Sequence, residues 1–404
     1  MSLIKVDEAR EIILSRIQFM GAEKIPLTET LGRVLCEDII ARRNNPPMDN
    51  SAMDGYALIA EDVKTASPEN PVILQVVGEV AAGYTATGEP LKSGQALRIM
   101  TGAPIPPGAN AVIMQEDTER DGDRLLVKDM AEVDENIREA GEDVKVGELV
   151  VPKGTVIRPA HIGMMATVGR SQIFVGRRPT VAVLSTGDEI LDLDDQPEGP
   201  CIYNSNGYML SAQIRSAGGI PHYLGIARDT EEDLMEKFRW ALQCDLIVSS
   251  GGVSVGDYDL VKASLKKIGQ EMLFWKVAMK PGKPLAFGQI GDTPIFGLPG
   301  NPVSSFVSFE QFVRPSIRKM TGRDDLLSTC VQAKLTHSVS KKAGRQHFLS
   351  ARTVWEKDGY IVTPEGAQGS GILKSAAQAN SLMIFPLEAT DLAEGEQVTV
   401  QLLE

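Results

Sequence analysis

The feature that most constrains the fold is an uninterrupted apolar run at residues 180–184, with the sequence TVAVL. Apolar, β-branched runs of this kind are typical of strands that are buried on both faces of a sheet. The downstream pattern predicts, in turn, a helix, a strand, a helix, a strand and a helix at 206–216, 221–226, 231–242, 245–249 and 259–268. Strands that alternate with helices indicate a doubly wound, mostly parallel sheet, which we expect to extend to about Gly322.

β-like segments flank this α/β block on both sides. Before it, short apolar runs at 72–77 and 111–114 lie between glycine- and proline-rich turns and predict a small β domain. After it, short alternating runs from Cys330 onward predict a second β domain. Residues 7–20 have the spacing of an amphipathic helix rather than the apolar core of a signal peptide. The predicted fold class is therefore multidomain α/β plus β.

The charge balance and the cysteines exclude several classes of protein. The chain has 404 residues, with 41 Lys and Arg against 54 Asp and Glu, so its net charge is −13. A chain this acidic does not favour a partner as anionic as nucleic acid. No uncharged apolar stretch approaches the ~20 residues needed to cross a bilayer. The four cysteines are widely spaced and include no CxxC pair, which is typical of a reducing compartment. We therefore expect a cytoplasmic protein with no nucleic-acid or membrane partner.

Three loops that follow predicted strands of the α/β block are candidate ligand loops. They cover residues 185–189, 249–259 and 297–305. In an open parallel sheet, ligands bind beyond the carboxyl ends of the strands, at the point where the strand order reverses. We expect the three loops to lie at that end of the sheet.

The loop over 249–259 has the residues best suited to an anion and a metal. Gly251 and Gly252 allow backbone N–H groups to approach an anion closely, and Ser254 adds a hydroxyl. Asp257 and Asp259 supply oxygen ligands of the kind that Mg²⁺ prefers. The loop has neither the terminal lysine of a P-loop nor the GxGxxG spacing of a dinucleotide fold. A tight turn with Asp259 as a helix N-cap accounts for the same residues without a ligand.

A stiff basic segment follows at 276–284. Lys276, Lys280 and Lys283 lie in or beside the sequence KPGKP. Because prolines restrict the backbone, ordering these lysines around an anion costs less than it would on a flexible loop. The cluster predicts a phosphate or oxyanion site, and Ser304, at a predicted helix start, is a further candidate anion contact. A solvated basic turn and a helix cap are the alternatives.

The remaining polar clusters are weaker signals. Asp49 and Asp54 are compatible with cation binding, but a turn-and-cap role is the simpler interpretation. Residues 368–375 offer hydroxyls and glycines, with the same alternative. The four histidines have no metal-ligand or triad spacing, so we expect structural roles for them, and no covalent nucleophile is indicated.

Six motifs occur in an order that is specific to one family. They are PMDNSAMDGYA at 47–57, MTGAP at 100–104, STGDE at 185–189, SGGVSVGDYD at 250–259, KPGKP at 280–284 and GLPGNPVSS at 297–305. With these motifs, the chain resembles the molybdopterin molybdenumtransferases, which include the E domain of gephyrin, over essentially its whole length. The resemblance implies an enzyme that takes adenylylated molybdopterin and molybdate, uses Mg²⁺ as its divalent metal, and releases AMP and molybdenum cofactor.

The resemblance also implies an elongated homodimer of four-domain subunits. Its site would lie between the α/β domain of one subunit and the small β domain of the other, and a transient contact with the adenylyltransferase of the pathway is left open. The implied domains are a catalytic α/β domain (1–24 and 172–322), an extended linking domain (25–45 and 140–171), a small β domain (46–139) and a C-terminal β domain (323–404).

Residue by residue, the resemblance implies two groups of ligand contacts. The nucleotide and pyrophosphate group is Thr186, Gly187, Asp188, Glu189, Asp229, Gly251, Gly252, Ser254, Asp257 and Asp259, in which Glu189, Asp257 and Asp259 are the implied metal ligands. The oxyanion group is Lys276, Lys280, Lys283, Pro299, Ser304, Arg345, Ser370 and Ser375. Asp54 would enter the site from the second subunit, and Asp143 would lie near the dimer cleft. Many members of the family carry Asp and Arg where this chain has Asn204 and Gly207, so no ligand contact is assigned to that loop.

Two other functions stay open on the sequence. The α/β block is similar to the adenylyltransferase that consumes ATP one step earlier, although the extra domains and the motif at 53–57 argue against that activity. A scaffold that binds a partner protein, as gephyrin does besides catalysis, is the other alternative. Molybdate and tungstate have nearly the same size and charge, so the residues do not distinguish between them.

Overall fold

The structure is a computed structural model that describes residues 3–84, 89–251 and 270–403. The chain forms two compact units. The first contains Met1–Ile25, Gly32–Cys36 and Phe174–Glu404, and the second contains Pro26–Leu31 and Glu37–Ile173. The C-terminal β domain therefore belongs to the same unit as the α/β domain. The predicted fold class, multidomain α/β plus β, is confirmed.

A six-stranded sheet forms the centre of the α/β part of the first unit. Its strands are β13 (Thr180–Thr186), β16 (Ile220–Ala227), β17 (Leu246–Ser250), β18 (Gln270–Phe274), β20 (Ala286–Ile290) and β21 (Thr293–Leu298). Their spatial order is β16-β13-β17-β21-β20-β18. The first four are parallel, as predicted, whereas β18 and β20 form an antiparallel edge that the sequence pattern did not indicate. Because β13 pairs with β16 on one side and β17 on the other, the strand order reverses at β13.

The described part of the first unit contains six helices. They are α1 (Val6–Arg16), α3 (Ser205–Ser216), α4 (Glu231–Ala241), α5 (Pro302–Ser308), α6 (Arg314–Met320) and α7 (Leu373–Gln378), with a π-helical turn at Phe309–Val313. The second unit contains α2 (Pro159–Thr167). None of these helices is long and apolar enough to span a bilayer; this finding covers only the described part of the chain.

The run TVAVL is buried on both faces, as its composition predicts. Val181 and Val183 pack in one cluster that includes Ile13 of α1. Ala182 and Leu184 point to the opposite face and pack in a second cluster that includes Phe238 of α4. Since successive side chains of a strand alternate between its faces, a strand with helices on both sides must be apolar at every position.

Two helix boundaries differ from the sequence prediction. The first helix ends at Arg16 rather than residue 20, because Ile17 already has an extended backbone. Helix α5 begins at Pro302, two residues earlier than predicted, and the fixed φ of proline suits the first position of a helix. The short helices α2 and α7 lie in segments for which no helix was predicted. The helix predicted at 259–268 lies outside the described residues.

The C-terminal β domain is a closed sheet. Its strands are β22 (Cys330–Leu335), β24 (Gln346–Glu356), β25 (Gly359–Pro364), β26 (Ser381–Phe385) and β28 (Gln397–Leu402). The pairing of β24 with β26 closes the order β24-β25-β22-β28-β26 into a ring, around a core that includes Met383 and Val400. A short strand from the α/β domain, β19 (Met279–Lys280), pairs in parallel with β24. The lysine segment is thus hydrogen-bonded directly to the C-terminal domain.

Short paired strands complete the first unit, and a separate sheet forms the core of the second. The short strands are β14 (Ile190–Leu191), β15 (Ile202–Tyr203), β23 (Val339–Ser340) and β27 (Asp391–Leu392). The sheet of the second unit contains β4 (Gly55–Leu58), β5 (Val72–Val80), β6 (Gln95–Ile99), β7 (Ala111–Met114), β8 (Thr118–Asp121) and β9 (Arg124–Val127). Its other paired strands are β2 (Ile39–Ile40), β3 (Asn50–Ser51), β10 (Ile137–Arg138) and β11 (Leu149–Val151). The unit boundaries fall within β1 (Ala22–Pro26) and β12 (Gln172–Gly176). This sheet lies within the segment 46–139, for which a small β domain is predicted.

Candidate functional site

The described parts of the three predicted ligand loops lie side by side at the carboxyl ends of β13, β17 and β21, and for the loop at 249–259 these are residues 249–251. Ser185 is the register partner of Ser250, and Ser250 is that of Leu298, so the three strands end at the same level. The side chain of Asn206, on the first turn of α3, donates hydrogen bonds to Ser250 Oγ and to the carbonyl oxygen of Gly300, both at 2.7 Å. The loops expected at the strand-order reversal are therefore in contact through backbone and side chain.

Gly251 is the point of closest approach between two of these loops. Its φ is +89°, in the left-handed region, and its N–H donates to the carbonyl oxygen of Leu298 at 3.1 Å. A Cβ at this position would lie 2.6 Å from the carbonyl oxygen of Thr186 and 3.0 Å from its hydroxyl. Only glycine combines this backbone conformation with this contact. The Thr186 hydroxyl is buried and makes no hydrogen bond with any described residue, so it is available to a ligand.

Three of the predicted carboxylates crowd beside this turn. The N–H of Asp229 donates to Asp188 Oδ1 at 3.2 Å. Burial, followed by the negative charges of Asp188 and Glu189, raises the pKa of the Asp229 carboxyl. Gly187 lies against the Glu189 carboxylate. Concentrated negative charge of this kind suits a bound cation, which would relieve the mutual repulsion.

The proposed metal ligands are only partly described. Within residues 3–84, 89–251 and 270–403, no group of three or more His, Cys, Asp or Glu side chains has the spacing to hold a metal ion. Glu189 lies in the carboxylate cluster, but Asp257 and Asp259 lie outside the described residues, as do Gly252 and Ser254. The described carboxylates match a divalent cation in charge and in the type of donor atom. By themselves they do not complete the set of ligands that such a cation needs.

The lysine segment lies beside α5 and the C-terminal domain. Lys280 and Lys283 are exposed, Lys276 is half-buried, and their ammonium groups form no ion pair with the described residues. Lys280 is the register partner of His347 in the β19–β24 pair. Pro281 and Lys280 line a small pocket with Val303 on one side and His347, Gln368 and Ser375 of the C-terminal domain on the other. The predicted oxyanion residues Lys280 and Ser375 are therefore brought together.

One further predicted residue, Ser370, joins α5 to the C-terminal domain near this pocket. The Ser370 hydroxyl accepts a hydrogen bond from Asn301 Nδ2 at 3.2 Å, and the Ser370 carbonyl accepts one from the N–H of Val303 at 3.0 Å. Ser304 is buried on α5, next to Val303. Pro299 precedes these residues in the same loop. The loop at 297–305 and the segment at 368–375 thus form one surface, rather than two separate helix caps.

His347 is the site residue that the sequence did not reveal. Its side chain is buried, and burial, followed by the positive charges of Lys280, Lys341 and Arg345, lowers its pKa to about 4. The ammonium of Lys341 also donates to the carbonyl oxygen of Leu387 at 3.1 Å. Three cations thus act on one neutral imidazole, which is the electrostatic pattern of an anion-binding pocket. Lys280 and Arg345 of this pattern are predicted oxyanion residues, whereas Lys341 and His347 carry no signal in the sequence.

The predicted residues of the second unit are held by local hydrogen bonds. Asp54 Oδ1 accepts from the N–H of Thr101 at 2.7 Å and from its hydroxyl at 2.8 Å. The backbone N–H, and then the hydroxyl, of Thr101 lower the pKa of the Asp54 carboxyl. Asp49 accepts from the N–H of Ala140 at 2.8 Å, and Asp143 accepts from Asn45 Nδ2 at 2.9 Å. Asp54 stays exposed and ionised, with Oδ2 left over for a further ligand.

The loop in which the chain departs from the family pattern has a structural role. Asn204 is the N-cap of α3: its Oδ1 accepts from the N–H of Gly207 at 3.0 Å and from Ser185 Oγ at 2.9 Å. Its Nδ2 donates to the Tyr223 hydroxyl at 2.7 Å. A Cβ at Gly207 would lie 2.7 Å from the Tyr223 ring. Tyr223 therefore fills the space that a longer side chain at position 207 would need.

Three family models match successive parts of the chain. The model described as "MoeA N-terminal region (domain I and II)" matches residues 4–169. That described as "Probable molybdopterin binding domain" matches residues 182–319, and "MoeA C-terminal region (domain IV)" matches residues 332–403.

Relatives and solved structures match over the full length. The chain is 37% identical to molybdopterin molybdenumtransferase 2 of Mycobacterium tuberculosis, covering 98% of each chain. It is 36% identical to the molybdopterin molybdenumtransferase of Bacillus subtilis, covering 99% of this chain and 94% of the relative. Its structure is similar to the crystal structure of the molybdopterin biosynthesis moeA protein from Pyrococcus horikoshii OT3, with a TM-score of 0.83, 33% identity and full coverage of both chains.

Proposed function

The chain belongs to the molybdopterin molybdenumtransferase family, and on that premise we propose that it inserts molybdate into adenylylated molybdopterin with Mg²⁺-dependent release of AMP. The observation that carries this proposal is the arrangement of two anion-binding features in one unit. The Gly251 turn meets Thr186 at the strand ends, and Lys280 meets Ser375 across the pocket between the α/β and C-terminal domains. One feature suits a pyrophosphate, and the other suits a small oxyanion.

The loops at the strand ends would bind the nucleotide and pyrophosphate. The Thr186 hydroxyl has no hydrogen-bond partner among the described residues, and it lies beside Gly251, whose own N–H already donates to the Leu298 carbonyl. Gly187, Asp188 and Glu189 continue the same loop, and Gly252 and Ser254 extend the Gly251 turn. Because the N–H groups of Gly187 and Gly251 already donate to the carbonyls of Ala227 and Leu298, the Thr186 hydroxyl is the described donor that an anion would use here.

The carboxylates would hold Mg²⁺, with Glu189, Asp257 and Asp259 as its ligands. Bound there, the ion would neutralise the pyrophosphate oxygens and polarise the phosphorus that is attacked. Asp229, whose pKa is raised by burial and then by the charges of Asp188 and Glu189, would accept a hydrogen bond from the attacking water and orient it. The water adds to phosphorus, the phosphoanhydride bond breaks, and AMP departs with the bridging oxygen or the new hydroxyl. No covalent enzyme intermediate is needed.

The lysine pocket would bind molybdate. Lys280 and Ser375 line this pocket. Around it, Lys276, Lys283 and Arg345 would add positive charge, and Ser304 and Ser370 would add hydroxyl groups, with Pro299 shaping the loop. Charge-assisted hydrogen bonds from these groups would hold a tetrahedral dianion at the mouth of the pocket. The neutral imidazole of His347 adds a hydrogen-bond donor without adding charge. The two thiols of the bound molybdopterin would then form two Mo–S bonds, and one molybdate oxygen would leave as water with the two thiol protons.

The proposal includes a homodimer and a cytoplasmic setting. Asp54, exposed and ionised, is suited to complete the site of a second copy, with Asp143 near that interface. The four cysteines, Cys36, Cys201, Cys244 and Cys330, form no disulfide with one another, which supports a reducing compartment. In the same compartment, transient contact with the adenylyltransferase would pass the adenylylated substrate on. Analytical ultracentrifugation would report the mass of a dimer.

The test of the proposed function is product analysis with two nucleotides. With adenylylated molybdopterin, Mg²⁺ and molybdate, we expect AMP and molybdenum cofactor as products. With ATP and molybdopterin, we expect no pyrophosphate. Pyrophosphate release from ATP would instead show an adenylyltransferase, and tight retention of a partner protein without AMP release would show a scaffold.

A further inference from the structure

The first turn of α3 holds the ends of three neighbouring parallel strands together. Asn204 binds Ser185 at the end of β13, and Asn206 binds Ser250 at the end of β17 and Gly300 in the loop after β21. Both side chains are buried. The loops that follow these strands are the ones that would bind the nucleotide and the oxyanion. A single helical turn therefore connects two halves of the site.

Asn206 is the only member of this pair that bridges two different loops directly. Its Nδ2 has two hydrogens, and each has an acceptor at 2.7 Å. The carbonyl of Gly300 can only accept, so the atom that faces it must be the amide nitrogen rather than Oδ1. Aspartate at this position has the same shape but would place an oxygen against that carbonyl. Residue 206 must therefore carry a carboxamide to donate both hydrogen bonds.

We propose that Asn206 is a positioning residue for the transferase reaction, which sets the spacing between the Gly251 turn and the loop at 297–305. The inference rests on the proposed function for its kinetic readout. Gly300 and Gly251 are already in near contact, since a Cβ on Gly300 would lie 3.8 Å from the Gly251 Cα. At this distance, a small separation of the two loops changes the alignment of their ligands. The Asn206 Oδ1 makes no hydrogen bond with a described residue, so Asn206 is held only through Nδ2 at its outer end.

Loss of the two Asn206 hydrogen bonds has a kinetic effect that differs from the effect of a general loss of stability. Each half of the site keeps its own ligand groups, so each substrate still binds, but the reacting groups no longer align. We expect Asn206→Asp and Asn206→Ala to lower kcat about 100-fold, as misplacement of about 1 Å does elsewhere, while each KM changes less than about threefold. Ser250→Ala, which removes one of the two hydrogen bonds, is expected to have a smaller effect on kcat.

Asn380→Asp is the matched control. Asn380 also uses its carboxamide to join two chain segments, since its Nδ2 donates to the carbonyl of Thr353 and its Oδ1 accepts from the Thr353 N–H, both at 2.8 Å. It lies in the C-terminal β domain and contacts none of the ligand loops. The same substitution there creates the same kind of oxygen–oxygen contact. We expect it to lower the melting temperature and to leave kcat within about twofold of wild type, when variants are compared at equal distances below their melting temperatures.

Hydrogen exchange followed by mass spectrometry tests, without any substrate, whether Asn206 holds the two loops together. We expect Asn206→Asp to increase amide exchange at 246–251 and at 297–305 together, and Asn380→Asp to increase it at neither. Unchanged exchange in these segments, or unchanged kcat in Asn206→Asp, would overturn the inference. If the wild-type protein releases no AMP, the proposed function fails. The exchange measurement still decides whether Asn206 joins the two loops, because it needs no turnover.

Discussion

Lys280 lies directly opposite His347 in a two-residue parallel ladder, so the lysine segment of the α/β domain and the first long strand of the C-terminal barrel share backbone hydrogen bonds. This pairing fixes the backbone position of Lys280 next to the pocket that Lys280 and Ser375 line. A lysine on a mobile loop would lose side-chain and backbone entropy on binding an anion. At Lys280 the backbone is already ordered by this pairing in the folded protein, so binding an anion causes no further loss of backbone entropy there.

Lys280→Ala is expected to raise the molybdate concentration for half-maximal AMP release about tenfold, because a hydrogen bond to a charged group is worth roughly 1.5–3 kcal/mol. Steady-state AMP release at varied molybdate measures the effect. Lys64→Ala is the control, since Lys64 forms an exposed ion pair with Glu61 at 3.2 Å in the second unit. Unchanged molybdate saturation in Lys280→Ala would contradict the oxyanion role.

His347→Gln is expected to make the protein less sensitive to acid. Burial, with the charges of Lys280, Lys341 and Arg345, lowers the pKa of His347 to about 4, below its usual 6.5. The unfolded chain therefore binds a proton that the folded chain does not, and stability falls as pH decreases from 6.5 to 4. The loss is at most about 3 kcal/mol. Urea unfolding at pH 4.5 and pH 7 measures it.

The control for this variant is His222→Gln, which removes a histidine from the edge strand β16. We expect it to keep the wild-type difference in unfolding free energy between the two pH values. His347→Gln with the full wild-type difference would show that the cations around His347 do not act as described.

Gly251→Ala is expected to lower kcat/KM at least about 100-fold, since the added Cβ separates the Thr186 loop from the Gly251 turn. Gly291→Ala controls for backbone strain. Gly291 also has a positive φ, +58°, but a Cβ there would meet no atom within 4 Å. Both variants lose about 1–2 kcal/mol from the left-handed backbone. Equal activity in the two variants would remove Gly251 from the site.

Asp229→Asn is expected to raise the melting temperature at pH 7 slightly, by less than about 2 °C after solvent screening, and to lower kcat at least about tenfold. The pKa of Asp229 is raised, so its ionised form costs stability once the pH rises through that pKa. We also expect Mg²⁺ to stabilise wild type more than Asp229→Asn in thermal unfolding. Equal Mg²⁺ stabilisation of both would separate Asp229 from the cation.

The sequence predicts the centre of the molecule well, for a physical reason. A strand covered on both faces must be apolar throughout, so the TVAVL run revealed β13, and the chain reversal after each parallel strand placed the ligand loops at one edge. Thr186, Gly251 and the loop at 297–305 were therefore expected together, and they are.

Other features have no local signal. Closure of the C-terminal barrel depends on pairing between β24 and β26, which are far apart in the chain. The antiparallel edge β18–β20 follows from the same kind of long-range register. Asn206 and His347 are single polar residues whose roles arise only from neighbours that folding brings to them. Short helices such as α7 have too few residues to show a period.

The most direct test of the account is the stoichiometry of AMP release. Purified enzyme is mixed with adenylylated molybdopterin, with molybdate and Mg²⁺ added together, separately or not at all, and AMP and protein-bound molybdenum are quantified. We predict rapid release only when both are present, with one AMP formed for each molybdenum inserted. AMP release at the same rate without molybdate, or insertion of molybdenum without AMP, would contradict the coupling of the Gly251 turn to the Lys280 pocket.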